Sequence, residues 1–229
     1  MSSARDDILG NIRRSLGVTG QEAARREAVT ERIGRAPKGV IPSRAKLPAA
    51  EQVDLFVREA QAALATVARV KAADEVPQAV GEYLRNHNLP AAIRRGEDPR
   101  LDAMPWERTA LDVSRGVSEG GDLNAVSHAF GGIAESGTLA LLSGPENPST
   151  LNFLPDNHIV VVAAADVVGD YETIWGRVRE AHGRGAMPRT VNFITGPSRS
   201  GDIEQTLLLG AHGPRRLHIV VVENGSNDL

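Results

Sequence analysis

The 229-residue chain predicts an α/β fold, a mainly parallel sheet flanked by helices and preceded by an N-terminal helical extension. Apolar runs at residues 139–142, 159–163, 191–194 and 218–222 are continuous rather than alternating, the pattern of strands covered on both faces. Segments with helical spacing of apolar residues stand before and between these runs. A hydrophobic content of 41% with 24% charged residues, at this length, suits one substantial core.

Taken in order, Ser2 or Ser3 can cap a first helix in which Ile8, Leu9, Ile12 and Leu16 form one stripe and Gly17 ends it. Residues 18–50 thin out in apolar side chains and gain Gly, Pro and Arg, which reads as a linker or partly ordered arm. Residues 1–50 hold ten basic and five acidic side chains, a local +5 that leaves −8 for the remainder within a total of −3. A solvated arm and an electrostatic dock for an acidic partner subunit both fit that charge. The chain therefore divides into an N-terminal helix and basic arm, 1–50, and a single α/β domain, 51–229. Val53, Phe56, Val57, Ala60, Leu64 and Val67 give a helical period over 51–70, and Val80, Tyr83 and Leu84 another over 77–86. Short strands are expected at 91–93 and 111–113, and a crossover helix at 171–181 with Ile174, Trp175 and Val178 inward.

Two corners carry the candidate chemistry. After the strand at 191–194, Thr195-Gly196-Pro197-Ser198-Arg199 turns the chain with free N–H groups, a hydroxyl and a guanidinium, and a helix start is expected directly after it. Arg199 offers a fork of donors for carboxylate or phosphate, or else a surface salt bridge. Asp202 and Glu204 fall in the first turn of that helix, where acids cap the positive end, with ligand contact by Asp202 the sharper reading. Upstream, Glu135-Ser136-Gly137-Thr138 puts a carboxylate and two hydroxyls where glycine lets the backbone come close to a ligand. Ligands of open α/β sheets sit beyond the carboxyl ends of the strands, so both corners are expected to border one crevice. Glu135 is the candidate catalytic group, as a binding or orienting carboxylate, a structural hydrogen-bonder or a nucleophile. His212, followed by Gly213 in a tight loop, is a further ligand candidate, whereas His158 and His218 read as satisfied core or edge histidines.

The pairing of GIAESGTLALL (132–142) with ITGPSRSGDIEQTLLLGAHGPRRLHIVVV (194–222), together with LPDNHIVVV (154–162), resembles the lactate-utilization protein C family, in the LUD-domain group once known as DUF162. The resemblance covers residues 125–224 and extends weakly to the N-terminal helices. It implies a fold similar to the glucosamine-6-phosphate deaminase, ribose-5-phosphate isomerase and CoA-transferase group. It also implies a part in oxidising L-lactate to pyruvate beside two iron–sulfur proteins, which would hold the clusters. CoA-transferases of that broader fold use a glutamate nucleophile, and Glu135 resembles it in context. The family often has Thr where this chain has Ser136, and Thr-Ala where it has Ser200-Gly201. Ser136 keeps the hydroxyl, while Gly201 weakens the expected helix start.

Other classes are excluded by what the chain lacks. It has no cysteine, hence no disulfide, no thiolate nucleophile and no cysteine-bound cluster of its own, and no cofactor is expected on it. Dinucleotide, Walker A, His-Glu-x-x-His and Gly-x-Ser-x-Gly motifs are missing, and no histidine pair has metal-site spacing, so no metal is expected. With 3% aromatic residues and net charge −3, no nucleic-acid surface is expected. The absence of a signal-length or membrane-length apolar run makes a cytoplasmic location the expectation. The reading is a non-cluster or accessory subunit in lactate oxidation. Its rivals are a stand-alone enzyme on a phosphorylated or acyl-CoA substrate through Glu135 and Arg199, and a small-carboxylate binding or assembly module.

Overall fold

The computed structural model describes residues 3–183, 185–200 and 208–224. The chain forms two compact units, Met1–Val40 and Ile41–Leu229. In the first, Ser3 caps helix α1 (Ala4–Leu16) through a reciprocal capping box with Asp6, and Gly17 closes it in the left-handed conformation. Helix α2 (Ala23–Arg35) follows, inside the segment that composition alone marks as linker, and neither helix buries a residue. Arg-, Glu- and Ala-rich sequence supports such a helix by propensity without an apolar stripe to announce it.

The second unit starts with α3 (Ala49–Ala62) and strand β1 (Thr66–Val70). Here the structure corrects the sequence expectation of one helix over 51–70. The helix stops at Ala62, Leu64 adopts φ +71°, and Thr66–Val70 pairs as an edge strand with the last strand of the chain. The helical spacing of Leu64 and Val67 is coincidental, and β-branched Thr66, Val67 and Val70 suit the strand. There follow α4 (Val76–Asn86), β2 (Ala92–Arg95), α5 (Pro99–Asp102), β3 (Asp112–Arg115), β4 (Asn124–His128), β5 (Gly131–Ile133), β6 (Thr138–Leu142), α6 (Ser149–Phe153) and β7 (Asn157–Ala163). The chain ends with β8 (Val167–Val168), α7 (Tyr171–His182), β9 (Val191–Ile194), β10 (Arg199–Ser200), β11 (Leu208–Leu209) and β12 (Arg216–Val222).

A six-stranded, wholly parallel sheet has the order β1-β12-β7-β4-β2-β3. Along β7, Val160 and Val162 enter one core with α3, while Ile159 and Val161 enter another with α4. That two-sided burial is why the run is continuously apolar. The runs at β6 and β9 have a different cause. They belong to a second, four-stranded sheet, β8-β5-β6-β9, in which β5–β6 and β6–β9 are antiparallel. Leu139 and Leu141 of β6 pack toward the α3 core and Ala140 toward α7, so this sheet too is covered on both faces. Arg199–Ser200 pairs antiparallel with Leu208–Leu209, β10 with β11, and the helix start expected after Arg199 lies outside the described residues. Asp202, Glu204 and Gly201 lie outside the described residues.

Candidate functional site

The second sheet brings the two corners together. Leu139 pairs with Ile194, which sets Thr138 beside Thr195, and their hydroxyls are 2.6 Å apart. Thr138 is wholly buried and also meets the hydroxyls of Ser136 at 2.7 Å and Tyr171 at 2.9 Å, with Ser136 and Tyr171 a further 2.9 Å apart. The two glycines of these corners are both packed closely against the backbone of another element. A Cβ on Gly137, at φ +61°, would stand 2.1 Å from the backbone nitrogen of Ala60, and one on Gly196, at φ +69°, 2.0 Å from the carbonyl oxygen of Ala63. The backbone that comes close is the carboxyl end of α3.

Glu135 is buried, and its carboxylate accepts the backbone N–H of Tyr171 at 3.2 Å. It therefore meets the positive end of α7, alongside the cap Asp170, whose carboxylate accepts from the Thr173 N–H at 2.9 Å.

A cavity of about 290 Å³ opens on the other side of Thr195. Gly196, Pro197, Ser198, Arg199, His212 and Gly213 line it, together with Asn152, His158 and Leu217. Glu135, Ser136, Gly137 and Thr138 do not; they reach it only through the Thr138–Thr195 hydrogen bond. Its position departs from the carboxyl-end expectation. It follows the end of β9, but it sits at the amino ends of β7 and β12, whose second residues are His158 and Leu217. At the carboxyl ends of the parallel strands the charges pair with one another: Arg95 and Arg115 with Asp102 at 2.6 and 3.0 Å, and Arg100 with Asp98 at 2.7 Å.

Within the cavity wall the Ser198 N–H donates to the Pro214 carbonyl at 2.9 Å, so this donor of the turn is already committed. Arg199 is exposed, and among the described residues its guanidinium has no ion-pair partner. A second cavity of about 520 Å³ shares Pro197 and Leu217 with the first and carries Arg215, Arg216 and His87 on its wall. Asp156 lies 3.7 Å from Arg215, and Asn157 accepts from Arg216 at 3.2 Å.

Sequence reasoning took His158 and His218 as satisfied core or edge histidines and did not single out Asn152 or Ser127. His158 is 1% exposed, and burial pushes its imidazole down to about 3, so it is neutral. Its Nε2 lies 3.0 Å from the Ser127 hydroxyl, which in turn reaches Asn152 Oδ1 at 3.5 Å. Among the described residues His158 Nδ1 and Asn152 Nδ2 are buried without partners. His218 stacks on Tyr83 at 4.0 Å and holds Thr66 at 2.8 Å through Nδ1, yet among the described residues its Nε2 too lacks a partner. Both histidines are thus only half satisfied. The signal in the sequence was a pair of polar residues, His158 and Asn152, beside the most apolar run of the chain. Among the described residues no group of His, Asp and Glu could hold a metal ion, and no helix is long and apolar enough to cross a membrane.

Comparison with known proteins matches the family model described as the LUD domain over residues 53–222. The chain is 37% identical over 129 residues to "Lactate utilization protein C" of Geobacillus thermodenitrificans (strain NG80-2), covering 53% of this chain and 54% of that protein, so it spans about half the length of that relative. Similarity to "Lactate utilization protein C" of Oceanobacillus iheyensis (strain DSM 14371 / CIP 107618 / JCM 11309 / KCTC 3954 / HTE831), at 24% identity, covers 96% of this chain and 98% of that one. The crystal structure of a DUF162 family protein from Deinococcus radiodurans superimposes with a TM-score of 0.56 at 26% identity, over 77% of this chain and 99% of that one.

Proposed function

The chain belongs to the LUD-domain family, and we propose that it serves lactate utilization as a non-cluster subunit in the oxidation of L-lactate to pyruvate. A relative similar along nearly its whole length, and others over part of it, carry the name lactate utilization protein C and support this reading. The observation that carries the site is the cavity at the end of β9, with the guanidinium of Arg199, which has no ion-pair partner among the described residues, on its wall. A small carboxylate seated there meets a planar pair of donors from Arg199, beside the hydroxyl of Thr195 and the imidazole of His212. Oxidation of lactate to pyruvate releases two electrons and two protons. The chain has no cysteine thiolate for a cluster, so the electrons go to two iron–sulfur partner proteins, in the cytoplasm. In this reading Glu135 is a positioning residue: it holds the start of α7 and with it Tyr171, whose hydroxyl anchors the Ser136–Thr138–Thr195 chain, of which Thr195 lines the cavity.

The test is calorimetric titration of L-lactate into the wild type, Arg199→Ala and Arg199→Lys. Lysine keeps the charge and loses the two-point contact, so both variants should bind roughly ten- to a hundredfold more weakly, with an unchanged melting temperature. A strongly lowered melting temperature with binding intact makes Arg199 a structural tie and places the anion elsewhere. The adjoining cavity with Arg215 and Arg216 favours one second reading, a longer phosphorylated or acyl-CoA ligand across both spaces. Titration with coenzyme A in place of lactate decides between them.

A further inference from the structure

The larger cavity, about 520 Å³, opens at the amino ends of β1 and β12, whose first residues, Thr66 and Arg216, line it together with Arg215 and Asp156. Successive residues of a strand face opposite ways. Here Arg215 stands just before β12, and the N–H groups of Arg215 and Arg216 both donate to the Asp156 carbonyl oxygen, at 2.7 and 3.2 Å, so that two consecutive arginines reach one cavity.

Each arginine is held without being neutralised. Arg216 donates to Asn157 Oδ1 at 3.2 Å. Asn157 is 2% exposed, and its amide nitrogen is fixed on the Leu123 carbonyl at 3.1 Å and on Asn124 Oδ1 at 3.0 Å, which leaves Oδ1 an oriented, neutral acceptor. Burial raises the pKa of the Tyr83 hydroxyl and the Arg216 charge lowers it in part, which sets that charge near another residue of the cavity wall. The stem of Arg215 lies against Gly210, where a Cβ would stand 2.1 Å from Arg215 Cγ. Its Nε is 3.7 Å from the Asp156 carboxylate, beyond hydrogen-bond range. Among the described residues no carboxylate pairs with Arg216, so two guanidiniums face one distant acid and the wall stays positive.

A carboxylate engages one guanidinium through its two oxygens, whereas a phosphate group brings three oxygens and a second charge, enough for two. The rest of the wall is apolar: Leu64 and Leu209, 51% and 47% exposed, with Pro197 and the buried Leu217. A cavity of this size leaves room for an organic body behind the phosphate.

We propose that this cavity binds the phosphate group of a small organic phosphate, held by Arg215 and Arg216 with its apolar body against Leu64, Leu209 and Leu217. The site stands on the second cavity alone and requires neither lactate nor any ligand in the cavity after β9.

Calorimetric titration of the full-length protein with phenyl phosphate and with inorganic phosphate tests it. Phenyl phosphate should bind more tightly than inorganic phosphate, because only phenyl phosphate covers the leucines. Arg215→Gln and Arg216→Gln, both at exposed positions, should each weaken phenyl phosphate roughly ten- to a hundredfold and leave the binding of L-lactate unchanged. Arg108→Gln, 75% exposed and outside the cavity lining, should change neither. No binding of phenyl phosphate at millimolar concentration overturns the site, and equal binding of the two phosphates overturns its assignment to an organic phosphate. An equal loss in Arg108→Gln reports diffuse attraction and also overturns it, as does a loss in Arg199→Ala with none in Arg216→Gln, which seats the phosphate in the first cavity. Phenyl phosphate behaving as expected while L-lactate fails to bind supports this site and overturns the lactate reading of the other.

Discussion

Replacing Gly137 by alanine separates two accounts of the Glu-Ser-Gly-Thr corner. In the sequence the glycine reads as room for a ligand; in the fold the room is taken by α3, with the Ala60 nitrogen 2.1 Å and the Glu59 carbonyl carbon 2.5 Å from where the new Cβ would stand. Neither neighbour is the tip of a flexible side chain, so the helix or the turn must shift. Alanine at φ +61° costs about 1–2 kcal/mol by itself, and forced overpacking adds about 1–3 kcal/mol, so Gly137→Ala should lose about 2–5 kcal/mol. At about 2–4 °C per kcal/mol for a chain of this size, the melting temperature should fall by roughly 4–20 °C. Gly120 is the control. Its φ is +95° and nothing stands within 4 Å, so Gly120→Ala carries the backbone cost without the clash. Thermal unfolding followed by circular dichroism at 222 nm measures both variants. A Gly137→Ala protein as stable as the Gly120→Ala protein, with impaired ligand binding, would refute the packing account and return the corner to the ligand.

Two further outcomes follow from the same elements. Thr138→Val keeps the shape and removes the hydroxyl that meets Ser136, Tyr171 and Thr195, and should cost about 1–3 kcal/mol, read as a lower urea midpoint at unchanged slope; an unaltered midpoint would show that the cluster adds no stability. Burial lowers His158 to about 3 and His128 and His218 to about 4, so between pH 6.5 and 4 the unfolded chain takes up protons that the folded chain refuses. Stability should therefore be level above pH 7 and fall on acidification below 6.5, each histidine adding a slope of about 1.4 kcal/mol per pH unit; His218→Phe should make that fall shallower, and an unchanged profile would contradict its being held neutral.

What the sequence made legible was decided by where each signal is stored. Strands buried on both faces write themselves as unbroken apolar runs, so 159–163 and 218–222 were readable as central strands, and both fall inside the longer β7 and β12. The same signal could not say which sheet a run joins. Both faces of β6 are covered as fully as those of β7, and only the register of β6 against β9 shows the second sheet to be antiparallel there. Helical period misled at Leu64 and Val67, because a left-handed turn and an edge strand happen to continue it. The corners at Glu135 and Gly196 were found by their turn chemistry, which is local, but the partner of each glycine, the end of α3, is distant in sequence and leaves no mark beside it. His158 was read as a satisfied histidine for a related reason. A histidine at the start of an apolar strand is satisfied or unsatisfied according to neighbours brought from elsewhere in the chain. Here Ser127 and Asn152 supply one bond each to the network and leave a nitrogen over at either end. An unsatisfied polar group is a property of the packed core, set by which distant side chains arrive beside it, and no pattern in the neighbouring sequence announces it.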